Sequence, residues 1–136
     1  MDCVFCAIVA GAIPCRKLDE DEGAIAFLDI APWHTGHTLV VPKRHVADVT
    51  ADPAVLVEIA PLISIVSRRL VERLDADGLN LMSSAGAVAG QEVFHMHMHL
   101  VPRYNTAPGL RGLFNRDSQA DLDAVLARLL EEGPRA

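Results

Sequence analysis

The stretch Val93-Phe94-His95-Met96-His97-Met98-His99-Leu100-Val101 holds three of the six histidines of the chain, at every second position. Its flanks are rich in residues that favour β-strands, and alternate side chains of a strand point to the same face. A strand over residues 93–101 therefore puts His95, His97 and His99 together on one face. The side chains that alternate with the histidines are expected to enter the core from the other face: Phe94, Met96, Met98 and Leu100.

The spacing of the three histidines limits their chemistry. Neighbouring members lie about 6.6 Å apart on a regular strand, so all three cannot reach one ion with zinc–nitrogen bonds of about 2.0 Å. Three interpretations remain: a solvated strand face, a catalytic zinc held by two of the histidines, and an anion site with a nucleophilic or acid–base histidine. We favour the anion site, because imidazole changes charge near neutral pH. The preceding loop also contains Gly86 and Gly90, and backbone amides at 90–93 can approach a phosphate.

The composition describes one acidic domain. The chain has 136 residues, of which 51% are hydrophobic. This suits a single domain over 1–136 with a core and excludes bulk disorder. The 12 Lys and Arg against 18 Asp and Glu give a net charge of −6. We therefore exclude long nucleic acid as a partner, because it requires a surface rich in Lys and Arg.

Three features of the sequence predict a cytoplasmic protein. The chain has no run of about 18 uncharged apolar residues, so we expect no membrane span. Its first residues lack the basic start and apolar segment of a secretory signal. Three cysteines, an odd number, fit a reduced compartment.

Apolar patterning and turn residues predict an α+β fold, with an antiparallel sheet of about five strands, one long helix and two shorter helices. A hairpin is expected over 16–19 and 23–28, and further strands over 38–42, 79–83 and 93–101. The long helix is expected to begin at Asp52-Pro53, to end near Leu74 and to kink at Pro61. The shorter helices are predicted over 3–10 and about 118–131, the latter with its apolar residues on one face.

The segment from Gly90 to Arg103, GQEVFHMHMHLVPR, resembles the signature of the histidine-triad nucleotide-binding proteins, in which histidine alternates with hydrophobic residues. Three further segments resemble the same family: CVFCAI (3–8), AFLDI (26–30) and GHTLVVPKRH (36–45). The resemblance covers roughly residues 3 to 104. It implies an α+β fold, usually a homodimer, that binds a purine nucleotide such as AMP or an AMP-linked substrate.

The resemblance also implies a reaction and a set of site residues. Family members cleave a phosphoanhydride or phosphoramidate at the α-phosphorus, and here His97 would be the nucleophile and His99 a phosphate contact. Asp29 would accept hydrogen bonds from the ribose hydroxyls. The other implied nucleotide-binding residues are Ile8 and Phe27 at the base, His37 as a supporting histidine, Gln91 with the backbone around Glu92 and Val93 at the phosphate, Gly90 in the same loop, and Ser84, which stands where the family often has Asn.

The pair Cys3-x-x-Cys6 has three interpretations. A thioredoxin-like motif should follow a strand, but only two residues precede Cys3. Coincidental core cysteines are the second. We favour half of a structural zinc site, with His45 and His95 as candidates for the other two ligands. A Cys2His2 set of this kind also occurs in a bacterial branch of the resembled family.

The leading functional hypothesis is a nucleotide hydrolase or transferase that works through a covalent intermediate at His97. One alternative is a non-enzymatic protein that binds or senses nucleotides with the same pocket. The other is a zinc-dependent hydrolase that uses histidines as metal ligands. Trp33 is interpreted as a packing or dimer contact, and Cys15 as an apolar or half-exposed position.

Overall fold

A β-hairpin, a third strand, a long helix and a second antiparallel strand pair form the framework of the fold. The computed structural model describes residues 2–110, 114, 116–117 and 119–131. The helices and strands are α1 (Val4–Val9), β1 (Lys17–Glu20), β2 (Ala24–Leu28), β3 (Thr38–Pro42), α2 (Val55–Leu74), β4 (Gly78–Met82), β5 (Met98–Arg103) and α3 (Leu122–Leu129). A 3-10 turn at Ala87–Ala89 lies in the loop before β5.

The five strands form one sheet in the order β1-β2-β3-β5-β4, and all neighbouring strands are antiparallel. Helix α2 packs against one face of this sheet. Its buried residues Ile59, Leu62 and Val66 lie in one core with the strand residues Ala26, Val40 and Leu100. The predicted α+β fold with five antiparallel strands, one long helix and two shorter helices is confirmed.

The opposite face of the sheet carries a second apolar cluster, and its member Phe5 contacts two of the triad histidines. Phe5 of α1 packs there with residues of β2 and β3: Ile25, Phe27, Leu39 and Val41. Both faces of β2 and β3 are therefore covered, which explains why these strands are continuous apolar runs. The connection between them is closed by the N–H of Asp29, which donates to the carbonyl of His37 (3.0 Å). Two predicted site residues thus meet at the end of this strand pair.

The strand over 38–42 has its predicted bounds. In the predicted hairpin β1 lies one residue later than expected and β2 begins one residue later, and β4 lies one residue earlier than expected. Helix α2 begins at Val55 rather than at Asp52, although an Asp52 carboxylate oxygen still accepts the N–H of Ala54 (2.8 Å). The helix continues through Pro61 and ends at Leu74. None of the described helices combines the length and apolar character needed to span a bilayer.

The strand expected over 93–101 is wrong in its first half, since β5 begins only at Met98. Residues 93–97 instead turn toward the segment that follows β3, where the N–H of Met96 donates to the carbonyl of Val46 (2.6 Å). Phe94 lies on this turn and is 51% exposed, so its predicted place in the core is also wrong. Met96 and Leu100 are buried as expected.

The C-terminal helix is shorter than the predicted 118–131. It begins at Leu122, and the Asp121 carboxylate caps it by accepting the N–H of Ala124 (3.1 Å). Residues 118 and 132–136 lie outside the described part of the chain. The apolar side chains of this helix are between 48% and 77% exposed: Leu122, Val125, Leu126, Leu129 and Leu130.

Candidate active site and metal centre

The three histidines of the triad lie on one face although only His99 belongs to a strand. Phe5 of α1 packs edge-on against both His95 and His97, with ring centroids 5.8 and 5.1 Å away. His97 packs in turn against His99 at 4.9 Å. The alternation predicted from the sequence is therefore confirmed. The carbonyl of His97 is fixed from behind by the Ser83 hydroxyl, which donates to it (2.8 Å).

The hydrogen bond of His97 determines which of its nitrogens is free. Its Nδ1 lies 2.8 Å from the carbonyl oxygen of His95. Because a carbonyl can only accept, Nδ1 carries the proton and donates. The Nε2 of a neutral His97 therefore keeps its lone pair. His97 also lines the main cavity on this face.

A second chain of hydrogen bonds fixes His37 and His99. The backbone N–H of Trp33 donates to Nδ1 of His37 (3.0 Å), so the proton of the neutral His37 ring is on Nε2. That Nε2–H donates to Nδ1 of His99 (2.8 Å), which leaves the Nε2–H of His99 as a donor. An Asp29 carboxylate oxygen lies 3.6 Å from His37 Nε2.

Burial keeps this histidine pair neutral. Desolvation is the largest cause that lowers the pKa of His37 below its ordinary value. Desolvation, followed by the charges of His97 and His37, lowers the pKa of His99 to about 4. At pH 7 His99 is therefore an uncharged hydrogen-bond donor.

A cavity of about 660 Å³ runs along this face. Its apolar part is formed by Ile8, Phe27, Leu39 and Val93, and its polar part by Asp29, His97 and His99. Gly90 lies at its wall, with a φ of +107° that suits glycine. The structure thus brings most of the predicted nucleotide-binding residues to one cavity. His37 is 1% exposed and lies behind His99.

Gln91 differs from a free phosphate ligand in that its side chain is already bonded to the backbone. It is 4% exposed, and its side chain is used by the loop itself. Its oxygen accepts the N–H of Gly86 (2.9 Å), and its Nε2 donates to the carbonyls of Ala47 (2.7 Å) and Val93 (3.1 Å). These bonds occupy the amide, so Gln91 fixes the loop beside the cavity, and its part in holding the phosphate stays a prediction.

The backbone of this loop also differs from the expected phosphate cradle. The N–H of Gly90 donates to Ala87 and that of Gln91 to Gly86, so both amides are occupied within the loop. Ser84 lies beside this turn: a Cβ on Gly90 would be 3.8 Å from its hydroxyl oxygen. The expectation that these two amides face a phosphate is therefore wrong.

The four predicted metal ligands lie together at the other end of the triad. Nδ1 of His95 is 3.5 Å from the sulfur of Cys3, 3.5 Å from that of Cys6 and 3.2 Å from Nδ1 of His45. Zn–N bonds of about 2.05 Å and Zn–S bonds of about 2.3 Å in a tetrahedron require N···N near 3.3 Å and S···N near 3.6 Å. The cluster can therefore hold a metal ion, and its spacing fits zinc.

The ligands are oriented by the backbone around them. Nε2 of the fully buried His95 lies 2.7 Å from the carbonyl oxygen of Pro42 and donates to it, which leaves the Nδ1 lone pair for the cluster. Cys3 is the N-cap residue of α1, and its sulfur accepts the N–H of Cys6. Burial and the neighbouring Cys3 raise the pKa of the Cys6 thiol.

Three residues of the site have no functional assignment in the sequence analysis. Phe5 supports His95 and His97, Ser83 holds the His97 carbonyl, and Trp33 stacks on His37 and His99. Each residue contacts a histidine in another segment of the chain. The sequence around Phe5 or Ser83 therefore does not indicate its role. An aromatic residue between two predicted site residues was the available signal for Trp33.

The sequence profile of the HIT domain matches residues 10–106 of the chain. The protein belongs to the HIT family. The adenosine 5′-monophosphoramidase of Schizosaccharomyces pombe is 39% identical to this HIT protein over 112 residues, which are 81% of this chain and 80% of the relative. These findings place the chain in a family that includes hydrolases.

Two solved structures share this fold, and one of them is of a zinc-bound protein. A HIT family protein of Bacillus subtilis superposes with a TM-score of 0.88 and 33% identity, with all of both chains covered. A zinc-bound histidine triad family protein of Mycobacterium smegmatis gives a TM-score of 0.74 with 42% identity and covers 95% of this chain and 96% of its own.

Proposed function

We propose that this HIT protein is a hydrolase or nucleotidyl transferase that cleaves a phosphoramidate or phosphoanhydride at the α-phosphate of a purine nucleotide. The observation that carries the proposal is the pairing of His97 and His99 in one cavity. His97 has a free Nε2 lone pair because its Nδ1–H donates to the His95 carbonyl, and His99 has a free Nε2–H because its Nδ1 accepts from His37. The phosphoramidase relative in fission yeast supports the reaction class.

The cavity accommodates the parts of an AMP group in order. The base lies against the apolar residues Ile8 and Phe27, and the ribose hydroxyls donate to Asp29. One oxygen of the Asp29 carboxylate accepts the N–H of Ala31 (2.8 Å), so the carboxylate is held in place before the nucleotide binds. The α-phosphate then meets the two imidazoles, with Gly90 at the wall beside it.

The reaction follows from the two tautomers. The Nε2 lone pair of His97 attacks phosphorus, and the bond to the leaving group breaks in line; that group departs with the electron pair and takes up a proton from solvent. The Nδ1–H bond to the His95 carbonyl stabilises the positive imidazolium that forms, and His99 donates to a phosphoryl oxygen. Water then attacks phosphorus and loses a proton to solvent, and the phosphorus–nitrogen bond breaks, which returns the lone pair to Nε2 and releases the nucleotide. Two in-line displacements retain the configuration at phosphorus.

The cluster of Cys3, Cys6, His45 and His95 is proposed as a structural zinc site. Four protein ligands close a tetrahedral site, whereas a catalytic zinc keeps one position open. Zinc there would tie the start of α1 to the segment that leads into β5 and hold His95 in place. This arrangement argues against the alternative of a zinc-dependent hydrolase, and a homodimer in the cytoplasm stays a prediction.

The test compares His97→Ala with His34→Ala, a half-buried histidine of the loop between β2 and β3. We expect His97→Ala to lose on the order of a thousandfold or more in turnover of an AMP phosphoramidate while it still binds AMP in calorimetry. His34→Ala should keep both the turnover of the phosphoramidate and the affinity for AMP. Mass spectrometry of unaltered protein quenched during turnover should find the nucleotidyl group on His97.

The same measurements, together with turnover after removal of metal, separate the remaining hypotheses. Normal turnover by His97→Ala, or a label on another residue, would refute the covalent mechanism. A protein that binds AMP but never acquires a label supports the non-enzymatic binding alternative. Loss of turnover on removal of metal from protein that remains folded would instead support the zinc-dependent hydrolase.

A further inference from the structure

Trp33 stacks on the two neutral histidines with one face of its indole. Its ring centroid lies 4.5 Å from that of His37 and 4.6 Å from that of His99, with interplanar angles of 28° and 18°. The two imidazole centroids are only 5.1 Å apart. Rings stacked on opposite faces of one indole would be separated by roughly 9 Å. Both imidazoles therefore lie on the same face.

The other face of the indole is available to a ligand. Trp33 is 53% exposed, although one of its faces is covered by imidazoles. It also lines the same cavity as His97 and His99. A rigid aromatic plane beside the phosphate position can stack on any planar ring at low conformational cost.

The indole lies at the far end of a row of rings. Phe5 of the apolar cluster packs against His97, His97 packs against His99, and His99 packs against Trp33. Two imidazoles thus separate the indole from the ring at the apolar end. With the base at the apolar residues of this face, the phosphate position at the two imidazoles lies between the base and Trp33 in this order of contacts.

We propose that Trp33 forms a second subsite, which takes a planar aromatic ring carried by the leaving group. The inference rests on the proposed function and narrows its substrate class to AMP derivatives with an aromatic ring on both sides of the α-phosphate. The ring can belong to an aromatic amine or to a second nucleobase, because both present a flat π-face.

The test uses two pairs of substrates that differ in the second ring. The first pair is the adenosine phosphoramidate of benzylamine and that of cyclohexylmethylamine, which have the same carbon skeleton with and without aromaticity. The second pair is diadenosine triphosphate and ATP. For each pair the ratio of kcat/KM values is measured in the unaltered protein, in Trp33→Leu, in Trp33→Phe and in Thr35→Ala. Thr35 is an exposed residue of the same loop, and among the described residues the hydrogen bond found for it is the one that its backbone carbonyl accepts from the Tyr104 hydroxyl.

The unaltered protein should prefer the aromatic member of at least one pair, and Trp33→Leu should reduce that preference by about 3- to 10-fold. Trp33→Phe should keep most of it and Thr35→Ala all of it. The ratio cancels any effect of the substitution on His99 that both substrates share. The pair that responds identifies the source of the ring. An equal ratio in the unaltered protein and Trp33→Leu for both pairs overturns the inference.

A binding measurement separates failure of this inference from failure of the proposed function. Trp33 is the single tryptophan of the chain, so its fluorescence reports on this face alone. In His97→Ala, the benzylamine phosphoramidate should quench or shift the emission more than the cyclohexylmethylamine compound does. If the unaltered protein cleaves none of the four substrates, the proposed function fails. Equal fluorescence changes within both pairs, the two phosphoramidates and diadenosine triphosphate against ATP, would then refute the subsite as well.

Discussion

Acidification should destabilise this protein through His99, and His99→Gln should remove that effect. The Nδ1 of His99 accepts the proton carried by His37 Nε2 at 2.8 Å. A protonated His99 would direct its own N–H at this donor and break the bond. Burial adds to this cost and, with the charges of His97 and His37, lowers the pKa of His99 to about 4.

The size and sign of the effect follow from the two pKa values. The ordinary histidine value of 6.5 describes the unfolded chain, so between pH 6.5 and about 4 the unfolded state binds more protons than the folded state. Stability is complete above pH 6.5 and falls as the pH drops through this window. From pH 7 to pH 5 the free energy of unfolding should fall by about 2 kcal/mol through His99.

Urea unfolding of the unaltered protein and of His99→Gln at several pH values measures this difference. Glutamine keeps an N–H donor near the position of the imidazole Nε2 but does not titrate there. The loss of stability between pH 7 and pH 5 should be smaller in the variant by about 2 kcal/mol. Between pH 7 and pH 8 the two curves should run parallel, since His99 is neutral in both states. Parallel curves down to pH 5 would show that the reasoning about His99 is wrong.

Three further predictions concern the ribose contact, the loop before β3 and the metal centre. Asp29→Ala should weaken AMP binding by about 1–3 kcal/mol in calorimetry but not binding of dideoxy-AMP, and equal losses for both ligands would contradict the ribose contact. Gly36→Ala and Gly11→Ala both put alanine at positive φ (+88° and +78°), at a cost of about 1–2 kcal/mol each. At Gly36 the new Cβ also meets Leu74 and Pro102, so its variant should be less stable in urea by about a further 1 kcal/mol, whereas equal losses would refute the close approach. Elemental analysis should find about one zinc per chain and less in Cys3→Ser, which should also unfold more easily; a metal-free protein of full stability would exclude the structural zinc.

Local sequence was enough to predict the helices and strands that are bounded by glycine or proline. The strand Thr38–Pro42 is a β-branched run between Gly36 and Pro42, and its bounds were predicted without error. The face of the triad was also predictable, because the alternation of histidine with Met96 and Met98 persists through the turn before β5. Cys3-x-x-Cys6 carried a metal half-site on spacing alone.

The structure differs from the sequence-based predictions where a residue forms its hydrogen bonds with a distant segment of the chain. The stretch 93–97 has strand-like residues, but Met96 donates to Val46 instead of to a neighbouring strand, and Phe94 is left exposed. The family resemblance implied that Gln91 helps to hold the phosphate, but local sequence does not show that its amide also bonds to Ala47, 44 residues away. The arrangement of Trp33 on two histidines depends on the packing of the loop and on β5, which no local pattern encodes.

The separation of the proposed metal ligands along the chain has a consequence for biosynthesis. Cys3 and His95 are 92 residues apart, so the centre cannot be completed until most of the polypeptide has been made. At about 5–20 residues per second, a ribosome needs roughly 5–20 s between the two. During that interval the thiols of Cys3 and Cys6 can meet His45, which lies 39 residues after Cys6, but they lack His95 and the packing of the last two strands. While the cluster is incomplete, the thiols of the nascent chain can be oxidised or can bind a wrong ion. This risk follows from the order of the ligands along the chain and ends when the last strands pack onto the sheet.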